Sequence, residues 1–77
     1  MDRQQLEKLL LSSNVPNDLY SLTGGLPNEA YCIEKGKKRW HGYYSERGLK
    51  TTVGYFENEE TACECLLKEI KKVMSIY

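Results

Sequence analysis

The apolar residues at the start of the chain lie at helical spacing. Leu6, Leu9 and Leu10 are three and four residues apart, so they form one stripe on a helix over residues 2–11. A serine pair and a proline soon afterwards end this helix. Residues 15–28 are rich in glycine, proline and asparagine, and we expect an ordered loop there, with at most one helical turn.

Three later stretches alternate between apolar and polar residues with the period of a β-strand. They cover residues 30–34, 39–44 and 49–56, and glycine-containing turns separate them. Short turns between consecutive strands predict a three-stranded antiparallel meander. In the third strand, the alternation predicts one shared face for Leu49, Thr51, Val53 and Tyr55.

The second strand divides its side chains between the two faces of the predicted sheet. Trp40 and Tyr44 fall on one face, which we expect to meet the helices as core. Arg39, His41 and Tyr43 fall on the other face. Because two helices cannot cover both faces of a three-stranded sheet, we expect this second group to be exposed.

A second helix is predicted to begin at Asn58, whose side chain can accept hydrogen bonds from free backbone N–H groups. Its apolar stripe consists of Ala62, Leu66, Ile70, Val73 and Tyr77, with Cys63, Leu67 and Met74 beside them. Residues 1–77 are therefore predicted to form one small α+β domain in the order α-β-β-β-α. Both helices should pack on one face of the antiparallel sheet.

The composition allows one hydrophobic core and indicates no membrane span. A chain of 77 residues, 40% of them apolar, hides only about 60% of its unfolded surface on folding. No stretch approaches the roughly 20 apolar residues that cross a bilayer, and the first residues lack the apolar core of a signal peptide. We therefore expect a cytoplasmic protein without membrane association.

Residues that could perform chemistry are few. The three cysteines and single histidine do not follow the spacing of a metal site, and we expect the thiols to be buried in a reducing compartment. His41 has no nucleophile at a telling spacing, Glu46 and Arg47 are typical of a turn, and Gly24-Gly25 lacks the lysine of a phosphate loop. The sequence therefore predicts no enzyme activity, metal or cofactor.

The charges are neutral in sum but segregated along the chain. Residues 35–50 hold six basic side chains against one acidic, a charge of +5, so the remainder carries −5. One interpretation is a solvated hairpin whose lysines prevent edge-to-edge association. The other is a surface with two patches of opposite sign that steer a partner.

Residues 40–47 concentrate aromatic side chains and arginine, which dominate the binding energy of protein interfaces. Nucleic acid is the competing partner, because α-β-β-β-α is also the order of double-stranded RNA-binding domains. In that family, lysines at the start of the second helix contact phosphates. This chain has Glu57, Glu59 and Glu60 there, which would repel RNA. The alternative that remains is a nucleic-acid-binding module using the basic, aromatic β-hairpin.

Four groups of residues between positions 25 and 67 carry a resemblance. They are Gly25-Leu26-Pro27-Asn28-Glu29-Ala30-Tyr31-Cys32, then Trp40, then Tyr43-Tyr44-Ser45-Glu46-Arg47-Gly48, and finally Phe56 with Glu60-Thr61-Ala62-Cys63. This set resembles small bacterial immunity proteins, which accompany polymorphic toxins, including those of contact-dependent growth inhibition. The Tyr-Ser-Glu-Arg-Gly turn is its most specific part.

The resemblance implies a non-catalytic protein that binds the C-terminal domain of its cognate toxin, often a nuclease, and neutralises it in the cytoplasm of the producing cell. From length and composition we expect a monomer or small oligomer. A complex of one copy with one toxin domain is expected. Immunity proteins against nucleases are often strongly acidic, whereas this chain is neutral. The activity of the toxin therefore stays open.

The predicted binding surface combines steering and contact. The acidic helix start should steer a basic cleft of the toxin, and exposed sheet residues should contact it. The turn that carries Glu46 and Arg47 precedes the third strand, and we expect it at the opposite end of that strand from Glu57. Its side chains either fix the turn or touch the toxin. The predicted partner-binding residues are His41, Tyr43, Glu46, Arg47, Glu57, Glu59 and Glu60.

Overall fold

The computed structural model describes residues 1–75, which form two helices and a four-stranded mixed sheet. The elements are α1 (Arg3–Ser12), β1 (Tyr20–Ser21), β2 (Ala30–Lys35), β3 (Trp40–Glu46), β4 (Leu49–Phe56) and α2 (Glu59–Ser75). The strands lie side by side in the order β1-β2-β3-β4, and the last three are antiparallel to one another. The predicted α+β class is confirmed.

The prediction of a three-stranded, wholly antiparallel sheet is wrong in one respect. The sheet has a fourth, short strand, β1, which is parallel to its neighbour. Tyr20 and Ser21 pair in parallel with Tyr31 and Cys32, and the Tyr31 N–H donates to the Leu19 carbonyl at 2.9 Å. Residues 20 and 21, inside the stretch that was predicted to be a loop, therefore form an additional edge strand parallel to β2. Two residues cannot display the alternation that identifies a strand, so the pattern held no signal for β1.

Both helices begin at side chains that satisfy free backbone N–H groups. Asp2 accepts from the Gln5 N–H at 2.8 Å, and the Gln5 side chain accepts from the Asp2 N–H at 2.9 Å. This is a capping box. Asn58 accepts from the backbone N–H and the hydroxyl of Thr61, each at 2.8 Å. The predicted cap of the second helix is confirmed.

Replacing Asn58 with alanine should lower the free energy of unfolding by about 1 kcal/mol, because the first turn of α2 loses its acceptor. Asn58→Asp keeps a side-chain oxygen at the same position and should stay close to the parent protein. Urea denaturation of both variants measures the difference. Equal loss in the two variants would show that the hydrogen bond to Thr61 does not stabilise the helix start.

The main core lies between the helices and one face of the sheet. Its buried residues are Leu6, Leu10, Val15, Ile33, Trp40, Ala62, Cys63, Leu66 and Ile70. Trp40 is only 7% exposed, which confirms its predicted place against the helices. The Arg3 guanidinium carbon lies 5.0 Å from the Trp40 ring centroid, so α1 also covers this ring. Tyr77, the last residue of the predicted stripe, lies outside the described residues.

A bulge in β4 changes which side chains share a face. The register places Tyr55 opposite His41 but Thr51 opposite Tyr44, and Val53 has no partner. Paired residues share a face, and His41 and Tyr44 lie on opposite faces of β3. The extra residue therefore reverses the alternation halfway along β4. A single face was the wrong prediction for Leu49, Thr51, Val53 and Tyr55.

Candidate functional site

The face of the sheet opposite the main core carries a row of polar and aromatic side chains. Glu34 pairs with His41 across β2 and β3, and His41 pairs with Tyr55 across β3 and β4. The antiparallel register brings these residues side by side although they are distant in sequence. We call the set the open face, and it consists of Glu34, Arg39, His41, Lys50, Thr52 and Tyr55.

Three side chains of the open face form a layered contact. The His41 and Tyr55 rings are stacked, with centroids 4.7 Å apart and an interplanar angle of 10°. The guanidinium carbon of Arg39 lies 5.0 Å from the Tyr55 ring centroid, a cation–π contact. Tyr55 is nevertheless 55% exposed. The contact therefore orders an aromatic side chain that a partner can still reach.

Glu34 connects the open face electrostatically. Its Oε1 accepts a hydrogen bond from Lys50 Nζ at 2.9 Å and lies 3.4 Å from His41 Nδ1. His41 Nε2 is 2.9 Å from the hydroxyl oxygen of Thr52. The Lys50 hydrogen bond outweighs partial burial and lowers the pKa of Glu34, and His41 lowers this pKa further. Both ring nitrogens of His41 thus have neighbours within the chain.

Lys50→Met should raise the pKa of Glu34 towards its ordinary value, whereas Lys37→Met, on the neighbouring turn, should change it little. Because the pKa is lower in the folded chain than in the unfolded chain, ionised Glu34 stabilises the fold above the unfolded pKa. This contribution is lost as the pH falls through the lowered folded pKa. Carboxyl-carbon NMR titration measures the shift. An unchanged pKa in Lys50→Met would contradict the assigned contact.

Tyr43 lies on the predicted side of the sheet but is not exposed. Its exposed fraction is 0%, and it forms a second small buried cluster with Ala30 and Cys32. Its hydroxyl donates to the Gly25 carbonyl at 2.6 Å, and Lys50 Nζ lies 4.6 Å from the ring centroid. The prediction of an exposed Tyr43 is therefore wrong, because Gly25 in the loop before β2 contacts its hydroxyl, while Lys50 and His41 lie against its ring. The side chain supports the open face from within.

Glu46 and Arg47, the predicted turn residues, lie at the end of the β3–β4 pair that is opposite to Trp40 and Phe56. Glu46 pairs with Leu49, and the two residues between them have positive φ, 52° at Arg47 and 78° at Gly48. This is the geometry of a two-residue type I′ hairpin turn. The Arg47 N–H also donates to the Asn28 side-chain oxygen at 3.3 Å. Both predicted side chains are exposed, so their contact with a partner stays a prediction.

The three predicted acids lie together at the start of α2 but differ in their surroundings. Glu57 and Glu60 are exposed. Glu59 accepts from the Arg3 backbone N–H at 2.7 Å and lies 3.7 Å from Arg3 Nε. The carboxylate of one helix therefore caps the first turn of the other. Within residues 1–75, Glu57 and Glu60 make no such contact and remain surface charges.

Five open-face residues were not among the predicted binding residues, namely Glu34, Arg39, Lys50, Thr52 and Tyr55. Their common signal is the strand register, which brings three strands together around His41. The bulge at Val53 concealed this signal, since uninterrupted alternation would have placed Tyr55 on the same face as Thr51.

Burial disfavours the reactive thiolate form of all three cysteines. Burial raises the pKa of the Cys63 thiol to about 11, with Glu59 adding to the effect, and burial also raises the pKa of Cys32 and Cys65. In residues 1–75 there is no group of three or more side chains able to hold a metal ion. Neither helix of that part of the chain is long and apolar enough to cross a membrane.

Comparisons of this chain with models of protein families, with curated proteins and with solved structures found no significant match. A functional proposal therefore depends on the chain's own residues and their arrangement.

Proposed function

We propose that this protein is an immunity protein that binds a toxin domain made by the same cell and neutralises it. The observation that carries the proposal is the layered contact of Arg39, Tyr55 and His41 on a face that no helix covers. Aromatic and arginine side chains that are ordered before binding lose little conformational freedom when a partner docks. The choice of a toxin as the partner rests on the resemblance of the Tyr-Ser-Glu-Arg-Gly turn to immunity proteins.

The proposed action is stoichiometric and requires no catalytic group or cofactor. One monomer binds one toxin domain in the cytoplasm of the producing cell. His41 contributes to the contact surface, while Glu57 and Glu60 are exposed acids suited to the basic cleft of a nuclease. Tyr43 and Glu59 support this surface from within the fold.

A nucleic-acid-binding module is the second candidate function. It is favoured by exposed Tyr55 beside Arg39, together with the lysines of the β2–β3 turn, since aromatic rings and cations together bind single strands. Such binding would fall steeply with rising salt. Lack of a gel shift with RNA or DNA at low salt would remove this candidate.

Co-expression with the gene next to its own tests the immunity proposal. We expect that gene to encode a toxin domain that arrests growth when expressed alone. This protein should restore growth and co-purify with the domain. Arg39→Glu, which reverses a charge on the open face, should weaken both effects, and exposed Lys8→Glu on α1 serves as the matched control. A neighbouring gene without a toxin, or a toxin that is not neutralised, would lead us to abandon the proposal.

A further inference from the structure

The open face ends in a hollow beside the turn that joins β2 to β3. Its volume is about 480 Å³. Gly36 shapes this turn, with its N–H donating to the Arg39 carbonyl at 2.8 Å. The side chains that line the hollow are Glu34, Lys37, Lys38, Arg39, His41 and Tyr55. It therefore combines one ordered aromatic ring with several cations.

The unbalanced charge in the hollow is positive. Glu34 already accepts from Lys50 and lies against His41, so its carboxylate is largely offset by contacts within the chain. Lys37, Lys38 and Arg39 form no ion pair with another side chain in the described part of the chain. The group that the hollow best accommodates is consequently an anion such as a carboxylate.

Negative charge lies at the same end of the sheet. Trp40 and Phe56 are paired at the end of the sheet, and in sequence Arg39 precedes this pair while Glu57 follows it. Glu60 follows in the exposed first turn of α2. The cationic hollow and the acidic start of α2 thus lie at the same end of the sheet, where charges of both signs occur. We call it the bipolar end, and it consists of Lys37, Lys38, Arg39, Tyr55, Glu57 and Glu60.

We infer that the bipolar end receives the partner, and that the partner is a protein surface with the opposite arrangement of charges. An acidic side chain of the toxin enters the hollow against Arg39 and Tyr55, while a basic side chain faces Glu57. This inference rests on the proposed function. A nucleic acid fits less well, because its phosphates repeat one sign along the strand and would meet Glu57 and Glu60.

Two charge reversals distinguish these partners by the sign of their effects. For a complementary protein, Arg39→Glu and Glu57→Lys should each weaken binding, by about tenfold in Kd. For a nucleic acid, Arg39→Glu should weaken binding but Glu57→Lys should strengthen it, since a negative charge becomes positive. Lys8→Glu and Asp18→Lys reverse exposed charges on α1 and the loop after it, and serve as matched controls.

The probes are the purified toxin domain from the neighbouring gene and a short poly-thymidine strand, measured by surface plasmon resonance, with circular dichroism confirming that each variant folds. Loss of toxin binding in both reversals, with the controls near wild type, supports the inference. Toxin binding that neither reversal changes overturns the inference and leaves the immunity function intact. A wild-type protein that does not bind the toxin overturns both. If Glu57→Lys strengthens binding to the poly-thymidine strand, the nucleic-acid-binding function replaces both the inference and the immunity function.

Discussion

Leu66→Ala should lower the free energy of unfolding by roughly 2–5 kcal/mol, because it opens a cavity in the main core. Leu66 is 3% exposed and packs between α2 and the sheet. Truncation removes its contacts and leaves a space that the packed helix and sheet fill only in part. Equilibrium urea denaturation followed by circular dichroism measures the change.

Leu11→Ala is the matched control, because Leu11 is also a helical leucine but is 56% exposed. It should change stability by no more than about 0.5 kcal/mol. A domain of this size has a small free energy of unfolding, so Leu66→Ala could fail to fold. In that case the milder substitution Ile70→Val tests the same core. Ile70 is buried in the same core, and its change should cost about 0.5–1.5 kcal/mol. If Leu66→Ala were as mild as Leu11→Ala, the orientation of α2 described above would be wrong.

Gly24→Ala should be the second severe substitution, because it combines backbone strain with a collision. Gly24 has a φ of 82°, and an added Cβ would lie 2.8 Å from the Glu34 Cβ. The Glu34 Cβ is attached to the backbone of β2 and cannot swing aside. We expect a loss of about 1–2 kcal/mol from the left-handed conformation and roughly 1–3 kcal/mol more from the collision.

Gly25→Ala separates these two causes. Gly25 has a nearly identical φ of 87°, but an added Cβ meets no atom within 4 Å. It should therefore show the backbone cost alone. Gly24→Ala should also displace Glu34 from Lys50 and raise the Glu34 pKa, whereas Gly25→Ala should not. Equal destabilisation by the two alanines, with the Glu34 pKa unchanged in both, would refute the close approach of this loop to the open face.

The sequence was informative where an element is long enough to repeat its own period. β4 spans eight residues, and α2 spans seventeen after an asparagine cap, so their types and starts were predictable. Strand β1 has two residues and is held by pairing with β2, which begins ten residues farther along the chain. Tertiary pairing of this kind leaves no local pattern to detect.

The candidate site was only partly predictable, for reasons that Tyr43 and Tyr55 illustrate. Alternation placed Tyr43 on the correct face, but its burial depended on contacts with Gly25, Lys50 and His41, which are distant or separately placed by the fold. Tyr55 joined His41 only because the unpaired Val53 reversed the alternation in β4. Loop coverage and bulges are decided by contacts between distant segments, so residue spacing alone could not reveal the layered contact.

Titrating the activity of the toxin domain with this protein tests the central claim most directly. A binding inhibitor should reduce toxin activity linearly to zero at one molar equivalent, and longer incubation should not lower the amount required. An enzyme that modifies the toxin would instead act below one equivalent and progressively with time. The account predicts the stoichiometric end point, and either a sub-stoichiometric, time-dependent loss or undiminished toxin activity would contradict it.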